Sequence, residues 1–227
     1  MIEYKIISSG SKGNAVIINK HYLIDCGVSM KALRPYLGQL TVVFLTHWHG
    51  DHFKASTIKA LAEERPSLRF ACCRWMATWL MLQGVSSWNI DVLASDKMYS
   101  YPYMRVSAFE VTHDIPNCGY KMFFDSEDPL EDTSGSLFYA TDCANLNGIE
   151  AKGYDLYMVE ANHKAAEIDE KIAEKKANGE FAYEVRARAM HLSEEDALDF
   201  IYRNAGPNSN YIFMHQHEEK EVNDGSI

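Results

Sequence analysis

Cysteine is scarce in this sequence, and the spacing of the cysteines suggests no pairing. Their number is odd and no two of them form a Cys-x-x-Cys motif. The five are Cys26, Cys72, Cys73, Cys118 and Cys143. Disulfide frameworks are typical of oxidising compartments and of even cysteine counts. We therefore expect free thiols, a reducing compartment and a cytoplasmic location.

Long apolar runs are also missing. No stretch approaches the roughly 20 apolar residues that a transmembrane helix needs. The first five residues, Met-Ile-Glu-Tyr-Lys, resemble the beginning of a strand rather than a signal peptide. The sequence therefore predicts no association with a membrane.

Basic residues are fewer than acidic ones. The 227 residues include 22 Lys and Arg against 32 Asp and Glu, which gives a formal charge of -10. This balance argues against indiscriminate binding to nucleic acids or anionic membranes. A nuclease with a locally basic groove, or with metal ions that supply positive charge, stays open. No repeat, linker or low-complexity tract divides the chain, so we expect one domain over residues 1–227.

Short apolar runs separated by turn residues predict strands. We place these strands at residues 4–7, 15–18, 22–24, 42–45, 68–71, 104–109, 120–124, 137–139, 156–159 and 211–214. Helical patterns occur at residues 56–64, 76–82 and 193–204, the last with Ser193 as N-cap and Asp196 at the capping-box position. Strands interleaved with helices indicate a layered α+β domain.

Two charged segments interrupt this pattern. Residues 126–135 are acidic and rich in turn formers, which predicts a solvated hairpin loop. Residues 163–188 are rich in lysine, and we interpret them as a helix followed by an exposed connection. A solvated face is the favoured interpretation of such a charge run. The alternative is a positively charged flap that faces the substrate.

The most informative stretch is Thr-His-Trp-His-Gly-Asp-His at residues 46–52, directly after an apolar strand. Imidazole and carboxylate groups are good ligands for Zn²⁺ and similar ions. Residues two apart on a strand share a face, so His47 and His49 could point at one ion. Beyond the bend at Gly50, Asp51 and His52 could turn towards a second ion.

Further ligand candidates follow later apolar strands. His113, Asp142 and His215 each come after such a strand, where an open sheet usually presents its binding site. The alternatives are a capping role for Asp142 and surface positions for the histidines. His217 is a second candidate for the last ligand.

The motif at residues 46–52 resembles the HxHxDH signature of the metallo-β-lactamase superfamily, and His113, Asp142 and His215 match its remaining ligands in order. Residues 8–14, 23–27, 112–120, 160–163 and 191–193 resemble the YycJ/WalJ type, metallo-hydrolases with proposed DNA exonuclease activity. The chain is also similar to ribonuclease Z and to a cyclic phosphodiesterase. The resemblance implies a four-layer αββα sandwich with two metal ions at one edge of the sheet pair.

The resemblance also implies a role for each matched residue. The first metal would be held by His47, His49 and His113, the second by Asp51, His52 and His215, and Asp142 would bridge the two. Besides its role as a metal ligand, Asp51 is predicted to be a catalytic residue, together with His191 and Glu160. Asp25 is either a residue that orients a ligand histidine or simply a turn former. Zn²⁺ suits these ligands best, while Mn²⁺ and Fe²⁺ are compatible.

His191 lies just before the predicted helix at residues 193–204. In the ribonuclease Z and cyclic phosphodiesterase relatives, a similar histidine assists the phosphate reaction by donating a proton or stabilising charge. Glu160, at the end of a predicted strand, could orient it. The alternative is that both residues are structural.

These residues predict a metal-dependent hydrolase. Two ions would acidify a shared water, whose hydroxide attacks phosphorus while His191 assists the leaving alcohol. The favoured substrates are nucleic-acid ends, which makes the protein a phosphodiesterase or nuclease. Three alternatives are a phosphodiesterase for small cyclic or linear nucleotides, a thioester or lactone hydrolase, and a binding module without catalysis.

Overall fold

The computed structural model describes residues 1–126 and 133–216. The strands in these residues are β1 Tyr4–Ser8, β2 Ala15–Ile18, β3 Tyr22–Ile24, β4 Val42–Leu45, β5 Arg69–Cys73, β6 Ile90–Leu93, β7 Met98–Tyr101, β8 Met104–Val111, β9 Asn117–Phe124, β10 Gly135–Ala140, β11 Leu156–Glu160 and β12 Asn210–Met214. The helices are α1 Met30–Leu33, α2 Ala55–Glu64, α3 Arg74–Leu82, α4 Ala165–Ala177, α5 Glu184–Met190 and α6 Glu194–Asn204.

The strands form two mixed sheets of six. The first has the order β1-β2-β3-β4-β5-β6, in which β1 to β3 are antiparallel and β3 to β6 are parallel. The second has the order β12-β11-β10-β9-β8-β7, in which β7 to β10 are antiparallel and β10 to β12 are parallel. Helices lie in the connections β3–β4, β4–β5, β5–β6 and β11–β12, as is usual between parallel strands, whereas residues 141–155 join the parallel strands β10 and β11 without a helix.

Alternate residues of each strand face different cores. Phe44 of the first sheet meets Tyr120 of the second, with ring centroids 5.5 Å apart, inside a core that both sheets share. The neighbouring Val43 faces the other way, towards α2 and α3. On the outer face of the second sheet, Tyr157 packs in one cluster with Phe200 of α6. The layers are therefore helix, sheet, sheet and helix, which confirms the predicted αββα sandwich.

Two parts of the sequence-based prediction need correction. The connection expected after the helix in residues 163–188 is itself helical, because α5 follows α4 and packs on it through an ion pair between Lys175 and Glu184. Strands β6 and β7 and the short helix α1 were not predicted. The acidic loop falls largely on residues 127–132, outside the described residues; the strands that flank it pair antiparallel.

The carboxyl ends of several strands meet at one edge of the sandwich. The end of β4 leads into the motif at residues 46–52, and the ends of β8, β10 and β12 lead to His113, Asp142 and His215. Strand β11 ends with Glu160 itself. None of the helices in residues 1–126 and 133–216 has the length and apolar character needed to cross a membrane.

Candidate metal centre

The loop after β4 is a tight turn. The backbone N–H groups of His52 and Phe53 both donate to the carbonyl oxygen of His49, at 2.9 and 2.7 Å. The start of the loop is fixed by Asp25, whose Oδ1 accepts from the backbone N–H of Thr46 at 2.9 Å. This folding turns the side chains of the motif towards the same edge.

Three imidazoles form the first set of donors. The Nδ1 atom of His49 lies 3.1 Å from Nε2 of His47 and 3.3 Å from Nε2 of His113. The other nitrogen of His113, Nδ1, faces the carbonyl oxygen of Met190 at 3.1 Å, so Nε2 is the nitrogen that faces the other two imidazoles. Burial holds the pKa of His47 and that of His113 below the usual histidine value. Three imidazoles that converge in this way can hold a metal ion.

The second set consists of Asp51, His52 and His215, which also converge closely enough to hold an ion. The Oδ2 atom of Asp51 lies 3.6 Å from Nε2 of His52 and 3.4 Å from Nε2 of His215. His215 is buried, being only 5% exposed. The other candidate for the last ligand, His217, lies outside the described residues.

Asp25 orients His52 from behind. Its Oδ2 atom lies 2.7 Å from Nδ1 of His52, so the Nε2 atom of the ring is directed at the cluster. Asp25 also has a φ of 60°, a backbone conformation that few residues other than glycine, asparagine and aspartate adopt easily. Both roles considered for Asp25 from the sequence, the turn and the contact with a ligand histidine, are therefore present.

Asp142 lies between the two sets. Its Oδ2 is 2.6 Å from Nε2 of His52, its Oδ1 is 3.6 Å from Nε2 of His215, and it also groups with His47. Burial raises the pKa of Asp142, but the neighbouring histidines, His52 above all, outweigh it and hold the pKa well below its usual value. An ionised carboxylate in this position can contact ions on both sides.

The donor chemistry of the whole cluster fits two divalent ions. Seven side chains converge from the ends of different strands: His47, His49, Asp51, His52, His113, Asp142 and His215. Imidazole nitrogens and carboxylate oxygens are the ligand types of zinc and related metals. Several donor atoms face one another at about hydrogen-bond distance, and cations between them would relieve that crowding.

His191 and Glu160 lie beside this cluster. Nδ1 of His191 is 2.6 Å from Oε1 of Glu160 and 3.3 Å from Oδ1 of Asp142, and its ring stacks on that of His215 with centroids 5.3 Å apart. Burial lowers the pKa of His191, but the hydrogen bond and charge of Glu160 outweigh it and raise the pKa above the usual value. His191 directly follows α5, which ends at Met190. Ser193 caps α6 as predicted, and its side chain accepts a hydrogen bond from the backbone N–H of Asp196.

Three further polar residues contact the cluster and were given no role in the sequence analysis. Nδ2 of Asn14 is 2.8 Å from Nε2 of His52, Oδ1 of Asp114 is 3.1 Å from Nε2 of His113, and Nδ2 of Asn162 donates to the carbonyl oxygen of His215 at 3.1 Å. All three fall within stretches that resemble the family, and this resemblance was the only sequence signal that pointed to them. Their contacts depend on loop conformations that residue spacing does not reveal.

Comparison with known families agrees with this geometry. Residues 20–215, most of the chain, match the family described as the beta-lactamase superfamily domain. The chain belongs to this superfamily. No curated protein matches the chain in sequence.

Solved structures of superfamily folds superpose on the chain at low sequence identity. The metallo-beta-lactamase fold protein YhfI from Bacillus subtilis is 15% identical, with a TM-score of 0.71, and the match covers 96% of this chain and 87% of that one. The short form of human tRNase Z is 16% identical, with a TM-score of 0.66 and coverage of 96% and 93%. A diphosphatase from the PhnP family is 14% identical, with a TM-score of 0.62 and coverage of 95% and 87%. These likenesses confirm the metallo-β-lactamase fold, whereas membership of the YycJ/WalJ type stays a prediction.

Proposed function

We propose that this chain is a metal-dependent phosphodiesterase that acts on nucleic-acid ends. The observation that carries the proposal is the contact between His191 and Glu160 at the edge of the candidate metal centre. A histidine held this way can donate a proton to the alcohol that leaves a phosphodiester. Esters whose leaving group is already a stable anion depend less on such a proton. The structural likeness to a tRNase Z and to a diphosphatase supports the same class of substrate.

In this proposal the chain's residues divide into three roles. His47, His49 and His113 would hold one divalent ion, Asp51, His52 and His215 would hold a second, and Asp142 would be a ligand common to both sets. Bound divalent ions would supply positive charge for the phosphate oxygens and lower the pKa of a water molecule. Glu160 keeps His191 oriented and protonated, and His191 donates its proton to the departing oxygen.

A small phosphodiester or diphosphate is the second candidate substrate. The formal charge of -10 favours it, because a long nucleic acid approaching an acidic protein needs local positive charge. Thioesters and lactones remain a third class, which the position of His191 disfavours.

The test is a substrate panel. The metal-loaded protein is assayed with bis(p-nitrophenyl) phosphate, single-stranded DNA and RNA with labelled ends, a cyclic nucleotide, a thioester and a lactone. We expect the phosphodiesters to be hydrolysed fastest. His191→Ala should lower the turnover of DNA or RNA about a hundredfold or more, within the range for general acid catalysis. The turnover of bis(p-nitrophenyl) phosphate should fall less, because p-nitrophenolate leaves without a proton.

A matched control is His21→Ala, which changes a histidine whose Nδ1 faces the carbonyl oxygen of Gln39. His21 lies just before β3, which runs parallel to β4, so it is at the opposite end of these strands from the cluster. This variant should retain full turnover. Faster hydrolysis of the thioester or lactone, with no effect of His191→Ala on phosphodiesters, would contradict the proposal.

A further inference from the structure

A cavity of about 240 Å³ opens between α4, α5 and the residues that follow β11. Its lining includes Asn162, His163, Tyr183, Glu184 and Ala187. Pockets that enclose a whole drug-sized ligand have volumes of roughly 300–1,000 Å³. This cavity therefore suits one portion of a substrate rather than all of it.

Two polar atoms of the lining residues are buried without a hydrogen-bond partner. Among the described residues, Oε2 of Glu184 and Nδ1 of His163 have none. Glu184 is only 5% exposed, and its other oxygen, Oε1, is held by Nζ of Lys175 at 2.5 Å. Leaving buried polar atoms unsatisfied is costly. A ligand that donates a hydrogen bond to Glu184 would remove part of that cost.

The cavity adjoins the candidate metal centre. Asn162 forms part of its wall and contacts His215 on the other side, where its Nδ2 donates to the carbonyl oxygen at 3.1 Å. Gln216, the next residue after His215, also lines the cavity. Ala187 lies one helical turn before His191. A substrate bound at the metal centre could therefore extend one of its groups into this space.

The cavity offers no excess positive charge to an anionic group, because Lys175, outside the lining, pairs with Glu184. The lining has three carboxylates, Glu167, Glu184 and Glu194, against two lysines, Lys164 and Lys171. One of these lysines, Lys164, lies 3.1 Å from Glu167. An uncharged group with hydrogen-bond donors fits better. Nζ of Lys175 lies over one face of the Tyr183 ring, 4.4 Å from its centroid, and the opposite face is a surface of the kind on which a base can stack.

We propose that this cavity holds the nucleoside portion of the substrate, with an amino or hydroxyl group donating to Oε2 of Glu184 and a second hydrogen bond made to Nδ1 of His163. The inference rests on the proposed phosphodiester hydrolysis, and it specifies where the nucleoside next to the hydrolysed phosphate binds.

The test measures adenosine binding by calorimetry in the wild-type protein and in variants. Glu184→Gln replaces an acceptor of the buried carboxylate while keeping its shape, and we expect adenosine affinity to fall about tenfold to a hundredfold. Ala187→Leu adds bulk to the cavity wall while both residues of the ion pair between Glu184 and Lys175 are retained, so it should also reduce binding. Glu170→Gln, on the exposed side of α4, is the matched control and should bind like the wild type.

A kinetic measurement separates this inference from the proposed function. The ratio of kcat/KM for the p-nitrophenyl ester of adenosine 5′-phosphate to kcat/KM for bis(p-nitrophenyl) phosphate should fall at least tenfold in Glu184→Gln and in Ala187→Leu. If the protein hydrolyses phosphodiesters but both variants keep the wild-type kcat/KM ratio and the wild-type affinity for adenosine, the proposed subsite is wrong and the proposed reaction stands. Adenosine binding that both variants weaken, without turnover of any phosphodiester, would contradict the reaction and support the subsite.

Discussion

The Oε1 atom of Glu160 lies 2.6 Å from the Nδ1 atom of His191, and the rest of Glu160 is fully enclosed. Its second oxygen, Oε2, accepts from the backbone N–H groups of Cys143 at 2.8 Å and Leu192 at 3.2 Å. The carboxylate of Glu160 therefore links three parts of the site: Cys143 in the loop after β10, Leu192 just before the N-cap of α6, and the imidazole of His191. Charge-assisted hydrogen bonds of this kind are among the stronger ones in proteins.

This contact predicts a shift in pH dependence. The pKa of His191 is raised by Glu160, and the protonated ring is the form that donates, so turnover should fall as the pH rises through that pKa. Glu160→Gln removes the charge and lowers the pKa of His191. The falling limb of the kcat profile should therefore move to lower pH. If the falling limb of the kcat profile stays at the same pH in Glu160→Gln, Glu160 does not set the protonation of His191. The control is Glu150→Gln, which changes an exposed glutamate and should leave the profile unchanged.

Asp25 predicts an effect on metal affinity. In Asp25→Asn the amide replaces the oxygen that faces Nδ1 of His52, and the ring loses the partner that directs Nε2 at the cluster. We expect metal affinity to fall about tenfold to a hundredfold, the usual result of losing such a partner. The measurement is competition with a chromogenic chelator. Asp96→Asn is a matched control, because Asp96 also has a positive φ of 59° but is exposed. Equal affinities in both variants would argue against this role.

Gly27 packs closely against the loop at residues 46–52, which carries four of the candidate metal ligands. A Cβ atom at Gly27 would lie 1.7 Å from the carbonyl oxygen of Asp51, which also accepts from the N–H of Asn14 at 2.6 Å. Gly27→Ala must therefore displace Asp51, and we expect it to lower the free energy of unfolding by about 1–3 kcal/mol, as overpacking does, and to reduce metal content. Gly38→Ala meets no atom within 4 Å and should leave both unchanged. A Gly27→Ala protein with unaltered melting temperature and metal content would contradict this expectation.

Much of the sandwich could be predicted from local sequence pattern. The wholly apolar residues of β4 and the long run in β8 indicated strands because both faces are largely buried. Strands β6 and β7 lie at the edges of the sheets and have half-exposed side chains, so their alternation is weak. Helix α5 is short, and its position depends on the contact with α4 rather than on its own periodicity.

The residues of the site, too, could be predicted from the sequence only in part. The motif at residues 46–52 is contiguous, so its ligand character could be recognised directly. His113, Asp142 and His215 follow strands whose ends the fold brings to one edge. The contacts of Asn162 and the cavity beside it depend on how α4 and α5 pack over the loop after β11, and no spacing in the sequence encodes that arrangement.

The most direct test of the central claim is a metal titration of the chelator-treated protein. Phosphodiester turnover, measured with bis(p-nitrophenyl) phosphate, should be lost after chelation and should return to its maximum at about two equivalents of Zn²⁺ or Mn²⁺ per chain. Asp142→Ala, which removes the carboxylate between the two ligand sets, should lose most of that turnover at the same metal content. Full turnover in the metal-free protein, or full turnover in Asp142→Ala, would contradict the account.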